Sequence, residues 1–106
     1  RSIPENRNFS IHFGRIITGD RFINLSKDRT FLQKADTLNA DAVEMEGAAV
    51  GLCALKNQVP YLLIRAISDV QGKKLRMHFL EFLHTASKRL YTVCEYIITN
   101  TKLSKI

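Results

Sequence analysis

Hydrophobic and polar positions follow two different periods along this chain, and the strand-like period predicts three strands. Residues 10–19 (SIHFGRIITG) place β-branched and aromatic side chains on one parity and end in a glycine, which predicts a strand. Residues 41–45 (DAVEM) predict a second, shorter strand. Residues 61–68 (YLLIRAIS) form a near-continuous aliphatic run, typical of a strand that is covered on both faces.

Helical spacing appears in three further segments. A short helix is predicted to end at Ala35, with Ser26 or Asp28 as its N-cap. Residues 46–57 predict a second helix, which stops before a proline. Residues 75–100 give the clearest pattern, because apolar side chains recur there at i, i+3, i+4 and i+7. This stripe contains Phe79, Phe82, Leu83, Ala86, Leu90, Val93, Cys94 and Ile97.

Strands and helices therefore alternate, which predicts an α/β fold with a largely parallel sheet. Three strands leave an edge of the sheet open, and the run at 61–68 is too apolar for an exposed edge. We therefore expect residues 1–106 to form a partial domain, the C-terminal half of a larger one whose N-terminal strands are absent here.

Composition narrows the class of protein. The 106 residues are 45% hydrophobic and 25% charged, as in ordinary soluble domains. No apolar run reaches the roughly 18 to 20 residues that span a bilayer, and no signal-peptide pattern opens the chain, so we expect a cytoplasmic protein without a membrane partner. Cys53 and Cys94 lie in helical apolar contexts and are expected to be reduced core thiols.

The formal net charge of +6 raises the question of a nucleic-acid partner. The basic residues are dispersed along the chain, with one short cluster at 73–76 and no basic helix face with interleaved aromatics. We therefore interpret the charge as a solvated surface and expect no nucleic-acid partner.

Carboxylates follow the apolar runs. Glu44 and Glu46, the pair Ser68-Asp69, and residues 19–22 all fall at the carboxyl ends of predicted strands, where open α/β sheets bind ligands. A carboxylate accepts two hydrogen bonds and so suits a vicinal diol such as that of ribose. An aspartate in a dry site can deliver a proton to a leaving group. Alternatively, one glutamate is a first-turn helix charge, and Ser68-Asp69 is an N-cap.

Three strings in order go further: GDRFI at 19–23, AVEMEGAAV at 42–50 and IRAISDV at 64–70. Together they resemble the C-terminal half of the 5′-methylthioadenosine/S-adenosylhomocysteine nucleosidase family, within the nucleoside phosphorylase superfamily. The resemblance implies half of a three-layer α/β/α domain with a mixed, largely parallel sheet. It also implies hydrolysis of the N-glycosidic bond of an adenine nucleoside in purine and methionine salvage. No cofactor or metal is implied; the implied partner is a second copy, in a homodimer, or the missing N-terminal half.

The resemblance implies roles at the base. Asp69 would be the general acid that protonates adenine at N7, oriented by Ser68. Phe22 would stack on the purine, and the backbone of Ile23 would read its edge. Without the resemblance, Phe22 is better interpreted as a core aromatic.

The resemblance likewise implies roles at the sugar. Glu46 would hold the ribose hydroxyls with Glu44 nearby, Met45 would pack against the ribose, and Val43 is a further substrate-binding position. Phe79 would line the pocket for the 5′-substituent, although its spacing alone makes it a member of the helix stripe.

The resemblance does not determine the substrate's 5′-substituent or the activity of this chain alone. The segment 71–74 (QGKK) stands where the family has acidic and small polar residues, so the 5′-substituent is undetermined. The glutamate that activates water in the family has no counterpart in these residues, so we expect this chain to be inactive alone. A purine nucleoside phosphorylase and a non-catalytic, assembly-forming remnant are the alternative functions, and a basic nucleic-acid binder lacks any motif beyond charge.

Overall fold

The computed structural model describes residues 8–24, 26–70 and 78–101. Its elements, in chain order, are β1 (Ile16–Thr18), α1 (Arg29–Thr37), β2 (Ala42–Glu44), α2 (Gly47–Lys56) and α3 (Phe79–Asn100). The prediction of an α/β fold is confirmed in this form: the described residues form a small parallel sheet and three helices.

The described residues belong to two compact units. The strand unit consists of 12–24, 26–63 and 69–70. The long-helix unit consists of 8–11, 64–68 and 78–101.

The two strands pair in parallel and in register, with Ile16, Ile17 and Thr18 opposite Ala42, Val43 and Glu44. The N–H of Gly19 continues the ladder to the carbonyl of Glu44, at 3.0 Å. Both strands were predicted at these places, and each is shorter than its apolar pattern because only three residues find ladder partners. The chain leaves both strands at the same edge of the sheet.

The two helices of the strand unit end in the same way. Asn39 after α1 and Gln58 after α2 adopt left-handed backbone, with φ of 51° and 54°. Their N–H groups, and those of the residues that follow, bond back to carbonyls of the last turn, as in a Schellman motif. Pro60 then prevents α2 from continuing, as the sequence predicted. α1 runs two residues beyond the predicted end at Ala35.

The prediction of a third strand at 61–68 is wrong. Residues 61–68 form neither helix nor strand, and the sheet found within the described residues has two strands, β1 and β2. A strand exists through hydrogen bonds to a neighbour, which a hydrophobic run cannot supply by itself. The expected burial on both faces is wrong as well, because Tyr61, Leu62 and Ile67 are 58%, 66% and 55% exposed.

α3 begins at Phe79, and the predicted start at 75–77 lies outside the described residues. Of its apolar stripe, Ala86 and Val93 are buried. Within the same unit, α3 also contacts the segment 8–11: the guanidinium of Arg89 lies 5.6 Å from the ring centroid of Phe9, a cation–π distance.

The prediction that both cysteines lie in a core is wrong, whereas the prediction of free thiols agrees with the structure. Cys53 and Cys94 are free thiols, and both are exposed. Periodicity shows which residues share a helix face, but a face is buried only where another element covers it. Within the described residues, no helix is long and apolar enough to cross a membrane.

Candidate functional site

The candidate site lies at the edge of the sheet where β1 and β2 both end. Thr18, the last residue of β1, is the register partner of Glu44, the last residue of β2. Residues 19–24 follow the first strand, and Met45 and Glu46 follow the second. The structure therefore brings the predicted base-binding segment and the predicted sugar-binding pair to one edge of one parallel ladder.

The carboxylate of Glu44 is folded back onto the start of α2. The N–H of Glu46 donates to Oε2 at 3.0 Å, and the N–H of Gly47 donates to Oε1 and Oε2 at 2.8 and 2.7 Å. These N–H groups begin a helix and have no partner within it, and the positive end of the helix dipole favours a negative charge there. Glu44 therefore takes the capping role for α2.

Thr18 completes this arrangement from the neighbouring strand. Its hydroxyl donates to Oε1 of Glu44 and accepts from the N–H of Ala48 at 2.8 Å. In-register residues of a parallel pair point to the same face, which explains why the two side chains meet. One hydroxyl thus connects the end of β1, the carboxylate at the end of β2, and the second residue of α2.

Gly47 permits this close contact. A Cβ atom at that position would lie 2.7 Å from Oε1 of Glu44 and 2.5 Å from Cδ2 of Leu63. Both distances are too short for real contacts, so a side chain here would push the carboxylate or the leucine away. The absence of a side chain at Gly47 is what lets the glutamate reach its backbone N–H.

Glu46 occupies the N-cap position of α2 by backbone geometry, with φ −126° and ψ −18°. Its side chain makes no capping hydrogen bond, so the helix-cap interpretation applies to Glu44 and not to Glu46. Met45 and Glu46 are both exposed at the edge of the sheet, whereas Val43 is half-buried within β2.

The segment after β1 is held by Asp28, the residue that precedes α1. Its Oδ2 accepts from the N–H of Asn24 at 2.7 Å, and its Oδ1 pairs with Arg21 at 3.0 Å. Asp28 is the N-cap by position, as predicted, but its carboxylate turns back to this loop and makes no capping bond. Between the two contacts, Ile23 is 8% exposed and Phe22 is 75% exposed. The core-aromatic interpretation of Phe22 is therefore wrong.

The remaining predicted residues lie elsewhere in the chain. Asp69 is half-buried and belongs to the strand unit, whereas Ser68 is exposed and belongs to the long-helix unit. Phe79 opens α3 and is 69% exposed. α3 is capped by His78, whose Nδ1 accepts from the N–H of Leu80, so none of the three described helices uses Ser68 or Asp69 as its cap.

Sequence reasoning missed Thr18 and the loop-holding role of Asp28. A signal for Thr18 existed, because it is the last strand residue before Gly19-Asp20, and a parallel register places it opposite Glu44. No signal identified the direction of the Asp28 carboxylate. Across the described residues there is no group of three or more His, Cys, Asp or Glu side chains that could hold a metal ion.

Comparison with known proteins gives a family-level match. The model of the phosphorylase superfamily matches residues 3–99. No solved structure gives a significant match to the chain.

Similar curated proteins are nucleosidases. The chain is 39% identical to 5′-methylthioadenosine/S-adenosylhomocysteine nucleosidase of Haemophilus influenzae (strain PittEE), over 84% of the chain and 38% of that protein. It is 33% identical to the nucleosidase of the same name from Staphylococcus haemolyticus (strain JCSC1435), over 92% and 42%. It is 34% identical to aminodeoxyfutalosine nucleosidase of Helicobacter pylori (strain J99 / ATCC 700824), over 90% and 42%. The chain thus spans about two fifths of the length of these relatives.

Proposed function

The chain belongs to the phosphorylase superfamily, and from that premise we propose that it carries the base- and ribose-binding half of a purine nucleoside nucleosidase. The observation that supports this most is the shared edge of β1 and β2. There, the segment with Phe22 and Ile23 and the residues Met45 and Glu46 leave neighbouring, in-register strands. Ligands of open α/β sheets bind beyond such strand ends.

Glu46 is the proposed ligand of the ribose hydroxyls. Its carboxylate can accept from both hydroxyls of a vicinal diol. Its exposure leaves it accessible from solvent, and its backbone N–H is held by Glu44 at 3.0 Å. Met45 and Val43 supply apolar contact beside it in this proposal.

The other predicted residues are proposed to bind the base and to protonate it as it leaves. Phe22 presents an exposed ring for stacking on the purine, next to the buried Ile23 whose backbone would read the base edge. Asp69, with Ser68 to orient it, is the proposed general acid, and Phe79 the proposed wall of the 5′-substituent pocket. These roles follow the resemblance of the motifs.

The proposed reaction breaks the bond between C1′ of the ribose and N9 of adenine. Asp69 donates its proton to N7 as that bond lengthens, so adenine leaves as a neutral molecule. Water adds to C1′ and gives up a proton to the water-activating glutamate that the resemblance implies outside these residues, which leaves free adenine and a free 5′-substituted ribose. General-acid assistance of this kind contributes about 10²- to 10⁴-fold in rate.

The chain is similar both to 5′-methylthioadenosine/S-adenosylhomocysteine nucleosidases and to an aminodeoxyfutalosine nucleosidase, so the preferred 5′-substituent is a matter for rate measurements. The proposed substrates are adenine nucleosides whose 5′-position carries a methylthio group, a homocysteine or another substituent. We further propose that the chain is part of a three-layer α/β/α domain in the cytoplasm and acts as a homodimer.

The test is adenine release by the purified full-length protein that carries this chain. We expect release of adenine from 5′-methylthioadenosine in phosphate-free buffer, and none from the isolated 106 residues, since the family's water-activating glutamate has no counterpart in them. Adenine release that requires phosphate, with a ribose 1-phosphate as the second product, would establish the phosphorylase alternative. The superfamily's name makes that alternative the second candidate. Absence of release in both buffers would contradict the proposal.

A further inference from the structure

Thr18 lies outside the residues that the resemblance assigns to the substrate, yet its hydroxyl makes two contacts at the proposed ribose site. It donates to Oε1 of Glu44 and accepts from the N–H of Ala48 at 2.8 Å. It also lies at the end of β1, directly before the segment that carries Phe22. A single side chain therefore connects the backbone near both proposed binding groups.

The two contacts act on the backbone that carries Glu46. Oε1 and Oε2 of Glu44 accept from the N–H groups of Glu46 and Gly47, and Thr18 accepts from that of the next residue. Three consecutive N–H groups are thereby bonded to side chains of the two strands. A helix start held in this way keeps its position relative to the sheet, and the Cα–Cβ bond of Glu46 keeps its direction with it.

We propose that Thr18 is a positioning residue. Acting through Glu44, it fixes the start of α2, and this holds the Glu46 carboxylate where it can accept hydrogen bonds from the ribose hydroxyls. Glu44 then acts on the helix start and does not bind the sugar directly. The inference rests on the proposed function and adds to it a residue that the motifs do not assign. Binding groups must be held to within a fraction of an ångström by their supporting residues, which is the part assigned to Thr18 and Glu44.

The variants separate the hydroxyl from the shape of the side chain. Thr18→Val keeps the β-branched shape that suits a strand and removes the hydroxyl, whereas Thr18→Ser keeps the hydroxyl. Thr37→Val is the matched control, because the Thr37 hydroxyl bonds only locally, to the carbonyl of Gln33 at 3.0 Å, at the end of α1.

In the full-length protein, we expect Thr18→Val to lower kcat/KM for 5′-methylthioadenosine about tenfold, the range for a lost, part-buried hydrogen bond. Thr18→Ser restores most of that loss, and Thr37→Val leaves kcat/KM within about twofold. All variants are compared below the temperature at which any of them begins to unfold, so that a loss of stability alone leaves kcat/KM unchanged.

A double-mutant cycle with Glu46→Gln tests the route of the effect. If Thr18 acts through Glu46, Thr18→Val costs little more once Glu46→Gln is present, because contacting or coupled residues are not additive. Single-turnover measurements with enzyme in excess make the slow variants measurable. A tenfold loss that persists in the Glu46→Gln background would overturn the inference.

Two further outcomes also overturn it: a Thr18→Val protein that is folded and as active as wild type, or a Thr18→Ser protein as impaired as Thr18→Val. Wild-type adenine release separates this failure from failure of the proposed function. An active wild type with an unaffected Thr18→Val variant removes only the role of Thr18, whereas an inactive wild type removes both.

Discussion

Nη2 of Arg21 and Oδ1 of Asp28 form an ion pair at 3.0 Å, which closes the segment that carries Phe22 and Ile23. The same carboxylate accepts from the N–H of Asn24 at 2.7 Å. The Arg21 side chain is 65% exposed, so the ion pair itself contributes little in water. The hydrogen bond from Asn24 is the contact that we expect to hold the loop.

This difference predicts how the Asp28 variants rank. Asp28→Ala removes both contacts and should raise KM for the adenine nucleoside by about threefold to tenfold, the effect of one lost hydrogen bond. Asp28→Asn keeps an oxygen that can accept from Asn24 and should stay within about twofold, as should Arg21→Ala. The measurement is initial-rate kinetics of the full-length variants. Equal damage from Asp28→Asn and Asp28→Ala would show that the charge, and not the acceptor, holds the loop.

Gly47 and Gly19 give a matched pair for packing at the sheet edge. A Cβ at Gly47 would lie within 2.7 Å of the Glu44 carboxylate, whereas one at Gly19 would meet the ring of Phe31 at 3.5 Å, an ordinary contact. Gly47→Ala should therefore lower the free energy of unfolding by about 1–3 kcal/mol, as overpacking does. Gly19→Ala should change it by less than about 1 kcal/mol. Denaturant unfolding of the two full-length variants compares them directly, and similar losses would contradict the close contact at Gly47.

Asp69→Asn tests the general acid. Asparagine keeps the shape of the side chain and its carbonyl oxygen but cannot supply a proton. In the full-length protein, kcat should fall by about 10² or more with the fold unchanged. Asparagine and aspartate rank equally as helix caps, so a merely architectural Asp69 predicts near-normal kcat for this variant. Turnover at saturating substrate, with circular dichroism to verify folding, distinguishes the two roles.

The strand–helix segment from Ala42 to Lys56 could be predicted well from sequence. The period of its apolar positions changes from two to 3.6 close to Glu46, where β2 gives way to α2, and Pro60 lies beyond the end of α2. Such local signals are strong because each depends on neighbouring residues alone. The run at 61–68 gave a wrong strand for the opposite reason: pairing depends on residues far away in the sequence.

The roles of the two glutamates could not be separated from spacing. Two residues apart, Glu44 and Glu46 share a face if the strand continues and diverge if the helix begins between them. The structure places that change at Glu46, which sends the Glu44 carboxylate to the N–H of Gly47. The sequence indicated that a glutamate caps or binds here; the choice between them required the hydroxyl of Thr18 and the absence of a side chain at Gly47.

The most direct measurement of the central claim is a crystal structure of the full-length protein with an adenosine analogue whose base is joined to C1′ through carbon. Such an analogue keeps both ribose hydroxyls and cannot be hydrolysed. We predict that the Glu46 carboxylate lies about 2.6–3.2 Å from a ribose hydroxyl, while the Glu44 carboxylate remains on the N–H of Gly47, as it is here at 2.7 Å. An analogue bound away from the ends of β1 and β2, or a ribose held by Glu44 in place of Glu46, would contradict the account.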